Sequence, residues 1–408
     1  MTSTTFPAAA AYGKILDQAN RPNPYPYFAE LAEHPIQQLG EHRWVVTRHA
    51  DLTALLRDPR LSVQSPLPDD EGERPLGSDG KPFRGPFLVL DPGHHDVLRS
   101  QTMHQFVPRI LGMRPRIEAI VASLLDQHSG GPGEFDVVES LALALPIGVI
   151  CALLGVPESE QPVVHSFAAR LTRALDPVET LTAREIAELQ VTRKEWQAYL
   201  APMIMKRIEH PGDDLISGLL AGGDPAERMN MVELGATISM LLIAGHETTV
   251  NLVANGTLAL LRNPGVLDRL RADPDLAPAV LEEVLRYDPP VQQTGRVATA
   301  DIMIAGQLVP AGDDIEMLLA AGNRDPRRFA DPDRFWPERP DNAHLSFGGG
   351  VHYCLGAALA RIEGQAALAA LATRLVNPRL VVDPPVYRQN MLLRGPAELR
   401  VSYDALTG

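Results

Sequence analysis

An unbroken helical run from Asn230 to Arg262 sets the frame for the rest of the chain. Asn230-Met231-Val232-Glu233 has the form of a capping box, in which a side chain before the helix and a carboxylate three residues on satisfy each other's free backbone donors. Asn263-Pro264 stops the run, because the residue before a proline is pushed away from helical geometry. About 32 residues at about 1.5 Å each span roughly 48 Å, the width of a whole molecule. The helical period extends on either side, from Met113 to Arg286. Ile117, Ile120, Val121, Leu124 and Leu125 recur on one face, and Thr182 to Ile208 has few breakers. Strand signals are short by comparison. Arg43-Trp44-Val45-Val46-Thr47 reads as a strand followed by a short helix, His49–Arg57. Asp301 to Pro310 reads as a hairpin turning at Ala305-Gly306, and Val381 to Val401 is strand-like. The expected class is mainly α with small β sheets. Its strand-rich parts lie at about 35–65, 291–310 and 380–403, and its helical core at about 90–290 and 355–376.

Two segments are irregular. Ser65 to Phe87 is rich in Pro, Gly and Asp, and reads equally as a functional lid or as a disordered insertion. Asn323 to His344 is a coil dense in Asp, Pro and Arg. The net charge of −14, from 37 basic and 51 acidic residues among 408, argues against nucleic acid as a partner. Two cysteines, Cys151 and Cys354, make a disulfide framework improbable and fit a reducing, cytoplasmic setting. Met1 to Tyr12 has neither a basic residue nor an apolar core, so no signal peptide is expected. The apolar run Leu141–Val156 is short for a membrane span and is interrupted by Pro146, so no membrane anchor is expected either. Cys151 lies in that run and reads as a small buried hydrophobe.

Cys354 is different. It closes the stretch Phe347-Gly348-Gly349-Gly350-Val351-His352-Tyr353-Cys354-Leu355-Gly356, and an alanine-rich helical run follows at once. Consecutive glycines let a backbone turn tightly and approach a flat partner closely. A cysteine at the start of a helix faces free N–H groups and the positive end of the dipole, which favours the thiolate, a soft ligand for iron. A free cysteine beside a structural turn is the alternative that these residues alone leave open. The stretch resembles the haem-ligand loop of the cytochromes P-450, Phe-x-x-Gly-x-(His or Arg)-x-Cys-x-Gly. Phe347, Gly350, His352, Cys354 and Gly356 fill every defined position.

Three further motifs follow that family's order. Ala244-Gly245-His246-Glu247-Thr248-Thr249 falls within the long helix. A mid-helix glycine and two threonines there suggest a bend with room beside it, and Leu241, Ala244, Gly245 and Thr248 share one face. By itself this is equally a kinked core helix with a capped polar pair. The element is similar to the family's Ala/Gly-Gly-x-Asp/Glu-Thr. The resemblance implies that Thr248 hydrogen-bonds bound dioxygen, that Glu247 helps to relay protons, and that Ala244 and Gly245 border the haem. His246 falls at a variable position and reads as structural or solvent-linked. Glu283-Val284-Leu285-Arg286 is similar to Glu-x-x-Arg, with Arg339 in the place of the family's third, bracing partner. Leu90-Asp91-Pro92-Gly93-His94-His95-Asp96-Val97-Leu98-Arg99 resembles Asp-Pro-Pro-Glu-His-x-x-Leu-Arg. The resemblance gives His95 and Arg99 to a haem propionate, with Arg296 and His352 on the same side. Gly93 and His94 depart from the usual Pro-Glu, which leaves the helix start open and makes His94 a second candidate for the propionate.

The resemblance covers about Tyr25 to Val401 and implies one cytochrome P-450 domain over 1–408. It implies a bacterial-type haem-thiolate monooxygenase that activates O2 to hydroxylate or epoxidise a lipophilic substrate. Haem b would be the cofactor, bound by Cys354 with Phe347, Gly348 and Gly356 around it. Phe87, Leu88, Leu241, Ala244, Thr248, Val291, Met391 and Leu392 would line the substrate pocket. Electrons would come from a separate ferredoxin and an NAD(P)H-dependent reductase, to a chain expected to be a monomer. Arg109, Arg114, Arg116, Arg324, Arg327, Arg328, Arg334 and Arg361 form either a docking patch for that ferredoxin or a solvated coil. A peroxide-driven enzyme and a non-catalytic recruitment domain are the competing readings. The Glu247-Thr248 pair argues against the first, and intact Cys354 and Thr248 against the second.

Overall fold

The computed structural model describes residues 6–64, 75–176, 181–222, 228–390 and 392–408. The long helix is continuous over Met231–Arg262. Its start is the capping box read from the sequence. The Asn230 carboxamide oxygen accepts from the N–H groups of Val232 and Glu233, and the Glu233 carboxylate accepts from the Asn230 N–H. Asn263 leaves helical geometry and Pro264 opens the next helix, Pro264–Ala272. Every residue from Thr249 to Leu260 is buried, so this half of the helix is enclosed on all sides.

Two apolar cores share that enclosed helix. One joins its inner face to the helices Arg114–Asp126 and Ala144–Leu154, through residues such as Val121, Leu145, Leu153 and Val250. The other joins Leu252, Leu260 and their neighbours to Pro264–Ala272, Ala277–Tyr287 and Ala357–Arg374. The helix carrying the cysteine motif's alanine run therefore packs directly on the long helix. Gly256 allows this closeness, since a Cβ there would lie within 3 Å of a Leu368 methyl; a Cβ on Gly364 would lie as near a methyl of Leu281, on Ala277–Tyr287. The helix Ala183–Glu209 begins at Thr182, which forms a second capping box with Glu185.

The main sheet has five strands in the order Ile36–Gly40, Arg43–Val46, Asp314–Met317, Thr294–Ala298 and Leu61–Ser62. Arg43–Val46 runs parallel to Asp314–Met317 and the other pairs are antiparallel. The hairpin Ile302–Ile304 with Gln307–Val309 turns at Ala305 and Gly306, whose φ values are 47° and 85°. Two expectations are corrected. A strand, Gly133–Asp136, interrupts the stretch read as helical, because it pairs with Arg400–Tyr403 far along the chain. Within Val381 to Val401 the described residues are mostly bends and irregular backbone rather than strand. Pro384, Pro385 and Pro396 cannot donate to a ladder, and isolated bridges such as Tyr387 with Pro396 take its place. Among the described residues, no helix is long and apolar enough to cross a membrane.

Candidate functional site

The cysteine loop is folded on itself and pinned to a neighbour. The Cys354 N–H donates to the Phe347 carbonyl at 2.9 Å, and the Gly348 N–H to Leu345 at 2.8 Å. Gly348 and Gly350 have φ of 68° and 63°, a conformation that side chains resist. A Cβ on Gly350 would lie 2.4 Å from the Leu56 carbonyl oxygen. That glycine is therefore required by packing against the end of the helix His49–Leu55, a cause separate from the close approach of a flat partner expected from sequence. The Phe347 ring is held 4.6 Å below the Arg361 guanidinium.

The Cys354 side chain is accessible on one side and packed by protein on the other. That packing pushes its thiol pKa up. The N–H groups of Gly356 and Ala357, with Arg99 and Arg361, pull it back towards the thiolate. Once the thiol has lost its proton, the same donors stabilise the anion.

Beside this loop the cationic groups converge. His95 is fully buried, and its Nδ1 lies 2.8 Å from Asp96 Oδ1, while Nε2 has no partner. The His352 ring sits 4.7 Å from the His95 ring. Arg99 donates to the Tyr353 carbonyl at 2.6 Å, and Arg296 to the Gly295 carbonyl at 2.7 Å. Burial, then Arg296, His95 and Arg99, push the His352 pKa down to about 4, with Asp91 opposing them. Burial also lowers Arg99 and Arg296. Asp91 is already engaged by Ser62 and the Val63 N–H. Such a set is relieved by an anion. A cavity of about 620 Å³ runs along it, bordered by His95, Arg99, Met103, Val107, Gly350 and Val351.

The departures from the family pattern are explained here. Gly93 caps the helix His94–Leu111 at φ 110°, and Asp96 accepts from its N–H. His94 is turned away from the cluster, its Nε2 lying 2.6 Å from Glu233 Oε1, so it is withdrawn as a propionate candidate. In that position it ties the start of its helix to the capping box of the long helix.

On the long helix, Gly245 is exposed, and a Cβ there would meet nothing within 4 Å. Room beside the helix thus comes from the missing side chain. The helix is α-helical through Gly245, with no break at the expected bend. Ala244 and Thr248 are partly exposed along the same side and Leu241 is buried. The Thr248 hydroxyl donates back to the Ala244 carbonyl at 2.6 Å. Glu247 is buried and its Oε1 accepts from Arg388 Nη1. Burial raises the Glu247 pKa and Arg388 opposes that rise. Arg388 carried no sequence signal, being 141 residues from Glu247 in an irregular segment. Glu363 was also missed. It is buried behind the long helix and receives the Thr249 hydroxyl.

The pocket candidates fall in different environments. Phe87 is buried with its ring 6.0 Å from that of His95, whereas Leu88 is exposed. Val291 bridges to Leu393, and the Gln292 N–H donates to the Leu392 carbonyl, so Val291 and Leu392 lie on adjoining backbone. Met391 lies outside the described residues.

Comparison with known proteins now decides the family. The family model for Cytochrome P-450 matches residues 61–401. The chain belongs to the cytochrome P-450 family. Among curated relatives, cytochrome P-450 107B1 of Saccharopolyspora erythraea is 37% identical, over 98% of this chain and 99% of its own length. The 6-deoxyerythronolide B hydroxylase of the same organism is 37% identical, over 93% and 96%. Among solved structures, Mycobacterium smegmatis CYP164A2 with econazole bound superposes with a TM-score of 0.87 at 40% identity, covering 97% of this chain and 100% of that one.

As a cytochrome P-450, the chain is a monooxygenase of a family that holds haem through a cysteine thiolate. Its residues fit that group. An accessible thiol is flanked by N–H donors, a cationic cluster with an unpartnered His95 nitrogen adjoins it, and a helix face bare at Gly245 suits a flat body. The Glu-x-x-Arg pair is the brace that the sequence suggested. Arg286 is fully buried, doubly paired with Glu283, and donates to the carbonyls of Asn323, Pro332 and Arg334. Arg339 Nε lies 3.5 Å from Glu283 Oε2. Of the arginines grouped as a docking patch, Arg324 is withdrawn. Its guanidinium lies 3.5 Å and 4.0 Å from the Tyr25 and Tyr287 ring centres and serves the interior. Arg361 is also committed, to Glu282.

Proposed function

We propose that this cytochrome P-450 would hold haem b through the Cys354 thiolate and oxygenate a lipophilic small molecule. Arg99 carries the reading. It donates to the Tyr353 carbonyl, one residue from the cysteine, and its charge bears on Cys354 and His352 together. One residue thus joins a thiolate site to an anion site, as a metal-centred macrocycle with carboxylate arms requires.

Bound haem supplies the reductive activation of dioxygen and the oxidising power to attack a C–H bond. The chain's own groups do the rest. The N–H groups of Gly356 and Ala357 would favour the thiolate against the cost of its burial. His95, Arg99, Arg296 and His352 would hold the carboxylate arms, with Phe347, Gly348 and Gly356 shaping the loop around the sulfur. Ala244 and Gly245 let the helix lie close to the flat face. The Thr248 hydroxyl, once turned from the Ala244 carbonyl, would hold a proton towards the site, and Glu247 would renew that proton. Leu241, Phe87, Leu88, Val291 and Leu392 would form the apolar surround, which suits a lipophilic substrate. A relative named for hydroxylating 6-deoxyerythronolide B and a structural neighbour holding econazole support that class. Electrons come from a separate ferredoxin and its reductase.

The test is the carbon monoxide difference spectrum of the reduced protein. The thiolate-type band is expected in the wild type and its loss in Cys354→Ser. A wild-type protein that takes up haem without that band would overturn the assignment of Cys354.

A further inference from the structure

Behind Glu247 lies a set of polar side chains that none of these roles uses. His246 is 1% exposed, yet neither of its ring nitrogens has a hydrogen-bond partner. The Leu143 carbonyl is near enough to favour the protonated ring slightly but makes no hydrogen bond of ordinary geometry. A buried imidazole left in that state costs free energy and calls for an explanation. Its position supplies one. His246 Nδ1 lies 3.9 Å from Glu247 Oε2, about 1 Å beyond a hydrogen bond. The His165 ring packs edge-on against that of His246, their centres 5.7 Å apart. His165, on the helix Gln161–Leu171, is only half-buried and reaches towards solvent.

The charged group facing all three is Arg388. It holds Glu247 Oε1 and is itself partly exposed. Burial, then His165 and Arg388, push the His246 pKa down to about 3. Burial, then Arg388, lower His165. Both rings are therefore neutral at pH 7, each with one nitrogen that accepts and one that donates.

We propose that His165 and His246 form the solvent-side limb of the proton path to Glu247, with Arg388 as the positioning residue that fixes the carboxylate at its inner end. A proton from solvent reaches His165 and passes to one nitrogen of His246. The other nitrogen gives its proton to the Glu247 carboxylate, and the ring returns to its first tautomer. Each transfer moves one proton and no electrons. The proposal rests on the reading of Glu247 as the acid that serves Thr248.

The test reads proton exchange directly. In the diamagnetic reduced carbonyl form of the haem-loaded protein, ¹⁵N NMR of labelled histidine measures how fast the His246 ring N–H exchanges with solvent. Rapid exchange is expected in the wild type, with a slowing of about tenfold or more in His165→Phe. His165 is half-buried, so this variant is expected to fold, which its melting temperature checks. With a surrogate ferredoxin and reductase, hydrogen peroxide released per NAD(P)H oxidised is expected to rise in His165→Phe and His246→Gln. Unchanged exchange and unchanged peroxide yield in His165→Phe, while Glu247→Gln raises the yield, would overturn the histidine path alone. No change in Glu247→Gln would overturn the role of Glu247 and the path with it.

Discussion

Glu363, on the helix that follows the cysteine, is buried with one oxygen unpaired. Burial pushes its carboxyl up from an ordinary 4.5 to about 8, against the Thr249 hydrogen bond. The native chain therefore keeps a proton that the unfolded chain gives up at the ordinary value. Between those two pH values the folded state binds more protons, so this residue's contribution to stability falls as pH rises through the window. Glu363→Gln keeps the shape without ionising. It is expected to raise Tm at pH 8.5 and to change it little at pH 4.5, which calorimetry across pH checks. Equal gains at both pH values would remove ionisation as the cause. Gly350 is a second residue-scale test. Its φ of 63° and the 2.4 Å approach of its missing Cβ to the Leu56 oxygen leave no room for Gly350→Ala. A loss of about 1–3 kcal/mol is expected from the strained backbone alone, read from denaturant midpoints. Thr248→Ala is expected to keep NAD(P)H consumption while product falls and peroxide rises. A full yield of product would show that the Thr248 hydroxyl moves no proton.

Elements show how a motif becomes a brace. Glu283 and Arg286 stand one turn apart on the helix Ala277–Tyr287, and sequence spacing alone describes many surface pairs of little value. Here both are fully buried, and Arg286 also holds three carbonyls of the coil that leads to the cysteine loop. Glu283→Ala would leave that guanidinium buried without its carboxylate, a change that costs about 3–5 kcal/mol. Lower Tm and loss of the thiolate-type carbonyl band are expected together. A lower Tm with the band intact would mean that the brace does not reach the cysteine. The long helix was legible in the sequence because its capping box and its Asn-Pro stop are local chemistry. The strand Gly133–Asp136 was not, because what makes it a strand is the distant Arg400–Tyr403.

At the scale of the molecule, the proposed haem site draws on four separate stretches: His95 and Arg99, the long helix, Arg296 on a strand, and the cysteine loop. Haem held by these residues would link the elements and neutralise the cationic cluster. Its removal from the holoenzyme is expected to lower Tm, since a ligand held only by the folded state stabilises it by mass action. Phosphate is expected to restore part of the loss by occupying the same cationic groups. Calorimetry of both forms, with and without phosphate, checks this; equal Tm values for the two forms would contradict it.

The helical class, the ends of the long helix, the cysteine loop and the motif residues proposed to hold haem are all legible in the sequence. Each of these is written in contiguous residues, where spacing and capping act over a few positions. What those residues face is set by how distant elements pack. That packing paired Glu247 with Arg388, turned His94 to Glu233, withdrew Arg324 into the interior and set His246 without a partner between His165 and Glu247. Burial and charge act through space, and a side chain's neighbours in space are set by how distant elements pack rather than by its neighbours along the chain.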